Sequence, residues 1–337
     1  GHGVGCASLV HASGSRAGDP EFPGDSAVLQ CAYDGTLTVW AGESEFGQGA
    51  KTVMAQVVAE EFGVSPDSVI VQLGDTRLTP FATGTHGSKL TTILANAVLA
   101  ACDNAKKEIL DEITLMTGSG KLHIEGGAIR NGRGDELMTL AEALNKVCIK
   151  RSGAPVIALG EYRPAAVMLD PTGYGNLAPT YPFGVQAAEV EVEESTGKIL
   201  VKKIVSVHDS GKIFNPQMAA GGVYGGVTQA FGFTMMEQLG INDQGLLHGG
   251  TFLEYKMPTM LDVPELAADF VETVDPHGPY GAKALGEPPI VSVLPAIANA
   301  VYHATGLRLD DAPFTPQKVL KAIQKQKMSK KKDGAGL

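Results

Sequence analysis

The chain has 337 residues, 44% of them apolar, and a formal charge of −10 at neutral pH. That length is enough to bury one to three domain cores, and the acidic balance argues against nucleic acid or another polyanion as partner, because surfaces that bind polyanions are basic. The one basic run, Lys325 to Lys332, lies in a terminal tail and reads as solvated, poorly ordered charge. Four cysteines, Cys6, Cys31, Cys102 and Cys148, are widely spaced with no C-x-x-C pair. Zinc and iron–sulfur sites need clustered thiolates, so neither is expected on this chain, and free thiols suit a reducing cytoplasm. No apolar run is long enough for a membrane span.

In chain order, residues 26–41 alternate in strand fashion and break at Asp34-Gly35, a hairpin signal. After a turn at Gly47-Gln48-Gly49, Ala50 to Phe62 places Val53, Met54, Val57, Val58 and Phe62 on one helical face, which stops at Gly63. Val69 to Leu73 reads as a strand and Leu90 to Leu110 as a long helix, with Thr83 to Lys89 a polar loop leading into it. Both glycine loops precede helices, where an anion could be held. Residues 111–165 are polar and glycine-punctuated, with one short helix at Ala141 to Ile149.

A second unit begins near Tyr181. Val185 to Val192 pairs across Ser195-Thr196-Gly197-Lys198 with Ile199 to Val207, leaving the glutamates at 189, 191, 193 and 194 on the wet face. Met218 to Met236 is a helix rich in glycine, a residue that costs about 1 kcal/mol each in a helix and therefore signals close approach of a ligand or neighbour. Glu287 precedes Pro288-Pro289, which opens a helix from Ile290 to Thr305, and a last helix runs from Thr315-Pro316 to about Gln326. Elements alternate without a strand–helix–strand repeat, so the fold class is α+β with mixed sheets, divided as 1–180, 181–325 and a basic tail at 326–337. No G-x-G-x-x-G follows a strand, which argues against a nicotinamide site.

Glu287 carries the most information. At a helix N-terminus its carboxylate is favoured as an ion, and there it is either a capping group or a general base. His86 reads as turn polarity, and His303 as a partner for a helix C-terminus.

Four segments together resemble the molybdenum hydroxylases, the xanthine dehydrogenase and aldehyde oxidase family. They are Gly42-Glu43-Ser44-Glu45-Phe46-Gly47-Gln48-Gly49, Gly84-Thr85-His86-Gly87-Ser88-Lys89, Val207 to Pro216, and Lys283-Ala284-Leu285-Gly286-Glu287-Pro288-Pro289. The likeness runs from about Gly1 to Ile323 and matches the C-terminal half of that family's molybdenum subunit, which implies a separate subunit or a processed fragment. It implies Glu287 as the catalytic base and Gly47, Gln48, Gly49, Thr85, Gly87, Ser88, Lys89 and Gly286 as cofactor-binding residues. No protein metal ligand is implied, since a pterin dithiolene holds the metal. Lys89 stands where the family more often has arginine, and Gly222 where many relatives carry a glutamine; Gln217 or Gln229 could reach in instead.

The cofactor implied is molybdopterin with molybdenum, in its cytosine dinucleotide form. A second molybdopterin-subunit half, a [2Fe-2S] iron–sulfur subunit and an FAD subunit are the implied partners. The activity implied is hydroxylation of an aromatic N-heterocycle or aldehyde with water-derived oxygen. The alternative is a molybdenum subunit of the hydroxybenzoyl-CoA reductase branch, to which the Gly-Glu-Pro-Pro context is less similar, or of the carbon monoxide dehydrogenase type. The Gly-Thr-x-Gly-Ser loop is also similar to carbon monoxide dehydrogenases, and a metal-free scaffold is the non-enzymatic alternative.

Overall fold

The computed structural model describes residues 1–14, 24–164 and 169–334, with side chains up to residue 329. Period-two alternation sets the first strands. β1 (His2–Val10) buries its glycines, β2 (Asp25–Cys31) buries Ala27, Leu29 and Cys31, and β3 (Leu37–Ala41) buries Leu37, Val39 and Ala41. The helix α1 (Ala50–Phe62) ends where Gly63 takes a left-handed conformation at φ 65°, and β4 (Val69–Leu73) follows. A π-helical turn at Leu90–Leu94 leads into α2 (Ala95–Thr117), which continues past the end expected at Leu110.

Three short strands, β5 (Leu122–Glu125), β6 (Ala128–Asn131) and β7 (Glu136–Thr139), form a small antiparallel sheet. Thr139 and Glu142 then build a capping box at the start of α3 (Leu140–Lys150), and β8 (Val156–Tyr162) closes the main sheet in the order β4-β3-β2-β8. Only β3 and β4 run parallel in it. Side chains from this sheet and from α1, α2 and α3 form the first core.

The second core is built on β9 (Phe183–Glu193), β10 (Lys198–Asp209), α4 (Pro216–Met235), α6 (Val293–Thr305) and α7 (Pro316–Gly334). Between them lie β11 (Gly240–Ile241), β12 (Leu247–His248), β13 (Glu265–Val271) and the short α5 (Pro288–Val291). Asn215 caps α4 by accepting the Met218 amide at 3.1 Å. The sheet order is β1-β9-β10-β13, with β13 parallel to β10. A register shift between Val201 and Lys203 moves the buried positions of β10 from odd numbers, Ile199 and Val201, to even ones, Ile204, Ser206 and His208, and so keeps one face on the same core.

The α+β class with mixed sheets is therefore what the sequence led us to expect, but several boundaries differ. β1 pairs with β9, Val10 opposite Phe183, so the first strand crosses the division drawn near residue 180. Its glycines explain how a helix covers it there: a Cβ on Gly5 would overlap the Ala300 backbone, so only glycine lets α6 lie directly on β1. The helix expected from Ile290 to Thr305 breaks at Ser292. The tail expected to be poorly ordered is helical to Gly334, and Lys327 pairs with Glu194 at 3.0 Å.

Candidate active site

Glu287 sits just before α5, and its side chain caps nothing there. It is fixed by Ser88 instead. The Ser88 hydroxyl donates to Glu287 Oε2 at 2.7 Å, and the Glu287 amide donates to Ser88 Oγ at 2.9 Å. The capping alternative is thus set aside, since the carboxylate reaches across to another loop. His11 Nε2 lies 3.5 Å from the same Oε2, and its Nδ1 lies 3.0 Å from Ser13 Oγ. About half of the Glu287 side chain is exposed, and Oε1 carries no hydrogen bond among the described residues.

Ser88 holds this position from a left-handed backbone, φ 53°, which costs a non-glycine residue on the order of 1–3 kcal/mol and persists only where the surroundings enforce it. Gly87, whose carbonyl accepts the Gly14 amide at 2.9 Å, precedes it. A Cβ on Gly286 would stand 3.3 Å from Ser88 Oγ, so a small residue there lets the two loops meet.

In the Gly42–Gly49 loop, Gln48 folds back: its Oε1 accepts the Phe46 amide at 2.8 Å and its Nε2 donates to Ser44 O at 2.7 Å. One donor and one acceptor position of that exposed amide remain. Glu45 holds the α1 N-terminus. Its Oε1 accepts from the Gly47 and Gly49 amides at 2.8 and 3.1 Å, and its Oε2 accepts from Lys51 N at 3.0 Å. Burial works to raise the Glu45 carboxyl, but the three amides and Lys51 together hold it below its ordinary value. The anion place expected at this helix is therefore filled by the chain itself.

Thr85 and Lys89 also differ from the cofactor contacts expected of them. Thr85 Oγ1 donates to Glu43 Oε2 at 2.6 Å and accepts the Ser44 amide at 3.2 Å, which ties the two glycine loops together. Lys89 is buried, with its ammonium 3.0 Å from Asp25 Oδ1 and 2.6 Å from Glu43 Oε1. Its side chain is committed to two carboxylates and cannot serve an anion as well. Burial pushes the Asp25 carboxyl up to about 7, with Lys89 pulling it back and Glu43 pushing it further. Burial lowers Lys89, but the two carboxylates outweigh that and hold it above its ordinary value.

Four segments converge. Ser44 and Glu43 join Thr85, Ser88 joins Glu287, and a Cβ on Gly49 would overlap the Met218 methyl at the start of α4. Around them a Cβ on Gly47, Gly84, Gly221, Gly222 or Gly225 would meet open space. Bare backbone on three segments beside the exposed Gln48 amide fits a large, flat, polar group that approaches the main chain closely. Gln217 and Gln229 are exposed on α4, the helix that also carries the bare Gly222. No group of three His, Cys, Asp or Glu side chains among the described residues is placed to hold a metal ion.

His11, Asp25, Glu43 and Glu45 are parts of this site that the sequence reading did not single out. Glu43 and Glu45 lie inside the Gly42–Gly49 motif, where two carboxylates beside a helix start could have signalled them. His11 and Asp25 have no local signature.

Comparison with known proteins places these features in context. Residues 1–264 match the molybdopterin cofactor-binding domain family. The chain is 34% identical over 328 residues to the xanthine dehydrogenase molybdenum-binding subunit of Escherichia coli O157:H7, covering 94% of this chain and 41% of that relative. Quinoline 2-oxidoreductase from Pseudomonas putida 86 superposes with a TM-score of 0.82 at 27% identity, over 96% of this chain and 42% of the other. Carbon monoxide dehydrogenase from Oligotropha carboxidovorans superposes with a TM-score of 0.85 at 24% identity, over 97% of this chain and 41% of the other, and shows the shared fold. The chain spans less than half the length of each of these proteins.

Proposed function

The chain belongs to the molybdopterin cofactor-binding domain family of the molybdenum hydroxylases, and from that membership we propose that it is the C-terminal portion of the molybdenum subunit of a multi-subunit hydroxylase or dehydrogenase. Its substrate is an aromatic N-heterocycle of purine or nicotinate type, or an aldehyde, oxidised with water-derived oxygen. A relative named for xanthine and a neighbour named for quinoline support the heterocycle. The cofactor is molybdopterin in its cytosine dinucleotide form, and the partners are the rest of the molybdenum subunit, a [2Fe-2S] chain and an FAD chain. No helix among the described residues is long and apolar enough to cross a membrane, and four free cysteines favour a cytoplasmic setting.

The observation that carries the reading is a half-exposed carboxylate, Glu287, fixed by a strained serine where glycine-lined loops meet. Bound molybdopterin supplies the two-electron redox centre. The free positions of the Gln48 amide and the Gly84–Ser88 turn would hold it, together with the small Gly286. Gly47 contributes its bare Cα atom, since its amide already serves Glu45, while Gly49 gives its amide to Glu45 and turns its Cα toward Met218. Thr85 braces the two loops from behind. Ser88 anchors Oε2 of Glu287 and so sets the direction of Oε1, which takes the proton from the attacking oxygen as general base.

Glu287→Gln keeps the shape and removes the base. Turnover of xanthine, nicotinate or an aldehyde by the assembled complex is expected to fall on the order of a hundredfold or more. Molybdenum content and melting temperature of the same sample should be unchanged, because the residue ligates no metal. Near-normal turnover in a fully loaded variant would overturn the assignment.

A further inference from the structure

The segment Val207 to Pro216 touches the chain that leads to Glu287 at two side chains, Asp209 and Phe214. Asp209 Oδ1 accepts the Thr273 hydroxyl at 2.8 Å and the Gly211 amide at 3.2 Å, and its Oδ2 accepts from the Lys283 ammonium at 2.7 Å. The Asp209 and Lys283 side chains are only 18% and 9% exposed, so salt and water screen the pair weakly. Burial works to raise the Asp209 carboxyl, but Lys283, Thr273 and Gly211 together hold it below its ordinary value. The same ammonium lies 5.4 Å from the centre of the Phe183 ring on β9. The main chain is tied along this path as well: Lys283 N donates to Ser210 O at 2.7 Å, and Lys212 N donates to Gly281 O at 3.2 Å.

Just before Lys283, Tyr280 stands in the left-handed region at φ 52°. Its ring meets Phe214 edge-on, the centres 5.7 Å apart, and its hydroxyl donates to Glu61 on α1. A tyrosine keeps such a backbone only where its surroundings enforce it. Beyond Lys283 the ties stop. Ala284, Leu285 and Gly286 make no backbone hydrogen bond among the described residues, and the next fixed point is Glu287 itself, whose amide meets Ser88 Oγ. A short span held at its two ends passes any movement of one end to the other.

We propose that Lys283 and Asp209 are positioning residues for the base: their ion pair fixes the near end of the span that delivers Glu287, while Ser88 fixes the far end. The inference rests on the reading of Glu287 as general base and adds what aims it. An exposed ion pair would contribute almost nothing, whereas this one is largely buried and stands at the root of the span. Aim matters here because a displacement of about 1 Å at a reacting group can cost on the order of a hundredfold in rate.

The test is a double-mutant cycle on the assembled, molybdenum-loaded complex, with xanthine, nicotinate or an aldehyde as substrate. It reads the rate of enzyme reduction and the substrate concentration that half-saturates it. Lys283→Met removes the cation, and Asp209→Asn removes the anion while keeping its shape. Each is expected to slow the otherwise unmodified enzyme by roughly tenfold to a hundredfold and to change half-saturation by less than about twofold. In the Glu287→Gln background the same changes should cost less than about twofold, because no base is left to aim. Hydrogen exchange on the same complexes should speed up at residues 284–287 and stay as it was in α2. A loss of equal size in both backgrounds, unaltered exchange at 284–287, or failure of both variants to fold and load molybdenum would make the pair a structural strut and overturn the proposal. Full turnover by Glu287→Gln sinks the functional reading and this inference with it; a base that is lost on Glu287→Gln together with an additive Lys283 effect sinks this inference alone.

Discussion

Lys89 holds two carboxylates in a space that admits almost no water: its side chain is 7% exposed, that of Asp25 1% and that of Glu43 0%. Removing the ammonium would leave two buried carboxyl groups facing each other with no counterion. Lys89→Met is therefore expected to destabilise the chain by about 3–5 kcal/mol, read as a lower urea midpoint. A lysine that served a cofactor anion would behave oppositely, losing bound molybdenum while the midpoint stayed put. Which way this side chain points was not legible in the loop Gly84 to Lys89, because its partner Asp25 lies far upstream in β2. The pairing of Ser88 with Glu287 was nearer to the surface of the sequence. Each sits in a contiguous motif whose neighbouring glycines mark a tight approach, and only the hydrogen bond between them needed the fold.

Among the elements, the break between α5 and α6 fixes the base. Ser292 Oγ donates to Gln186 Oε1 at 2.7 Å, while Gln186 Nε2 donates to Pro289 O at 2.7 Å and to Ser206 Oγ at 2.9 Å. All three side chains are buried, so this clamp ties α5 to β9 and β10 through bonds that water cannot replace. Gln186→Leu would leave the Ser292 hydroxyl and the Pro289 carbonyl unpaired, at a cost of about 2–4 kcal/mol. Hydrogen exchange should then speed up at residues 286–292 ahead of the rest of the second core; uniform exchange would show that the clamp carries no local weight. The apolar run from Ile290 to Thr305 concealed the break, since one serine in such a run ordinarily rides on a continuous helix. The alternating pattern located β9 and β10, because one face of that pair is wet. Short strands such as β5 to β7 bury too few residues for the same pattern to show.

Across the whole molecule, two buried groups set opposing responses to pH. Asp25 in the first core is raised to about 7, so its native form binds a proton more readily than its unfolded form; its contribution is complete below about pH 4 and is lost as pH rises through 7. His208 in the second core is lowered to about 4 by burial, so its contribution is complete above about pH 6.5 and is lost as pH falls through 4. Over the shared window the two slopes oppose each other. Relative to the unmodified chain, Asp25→Asn should make the urea midpoint climb from about pH 4.5 to 6.5, and His208→Gln should make it decline. Parallel profiles for all three proteins would refute both assignments. The order of the sheets has a different consequence, for biosynthesis. β1 is made before the first core, yet it pairs with β9 and lies under α6, so it waits while the whole first core is made and can close. Closing so long a loop costs little at equilibrium, about 0.6 kcal/mol per doubling of length, and weighs instead on the rate. Because Val10 ends up opposite Phe183, the first core is a guest spliced into a host sheet, its two ends returning to one doorway. A hairpin turn of a few residues would bridge that doorway, and the host sheet could then be written as a continuous chain without its guest.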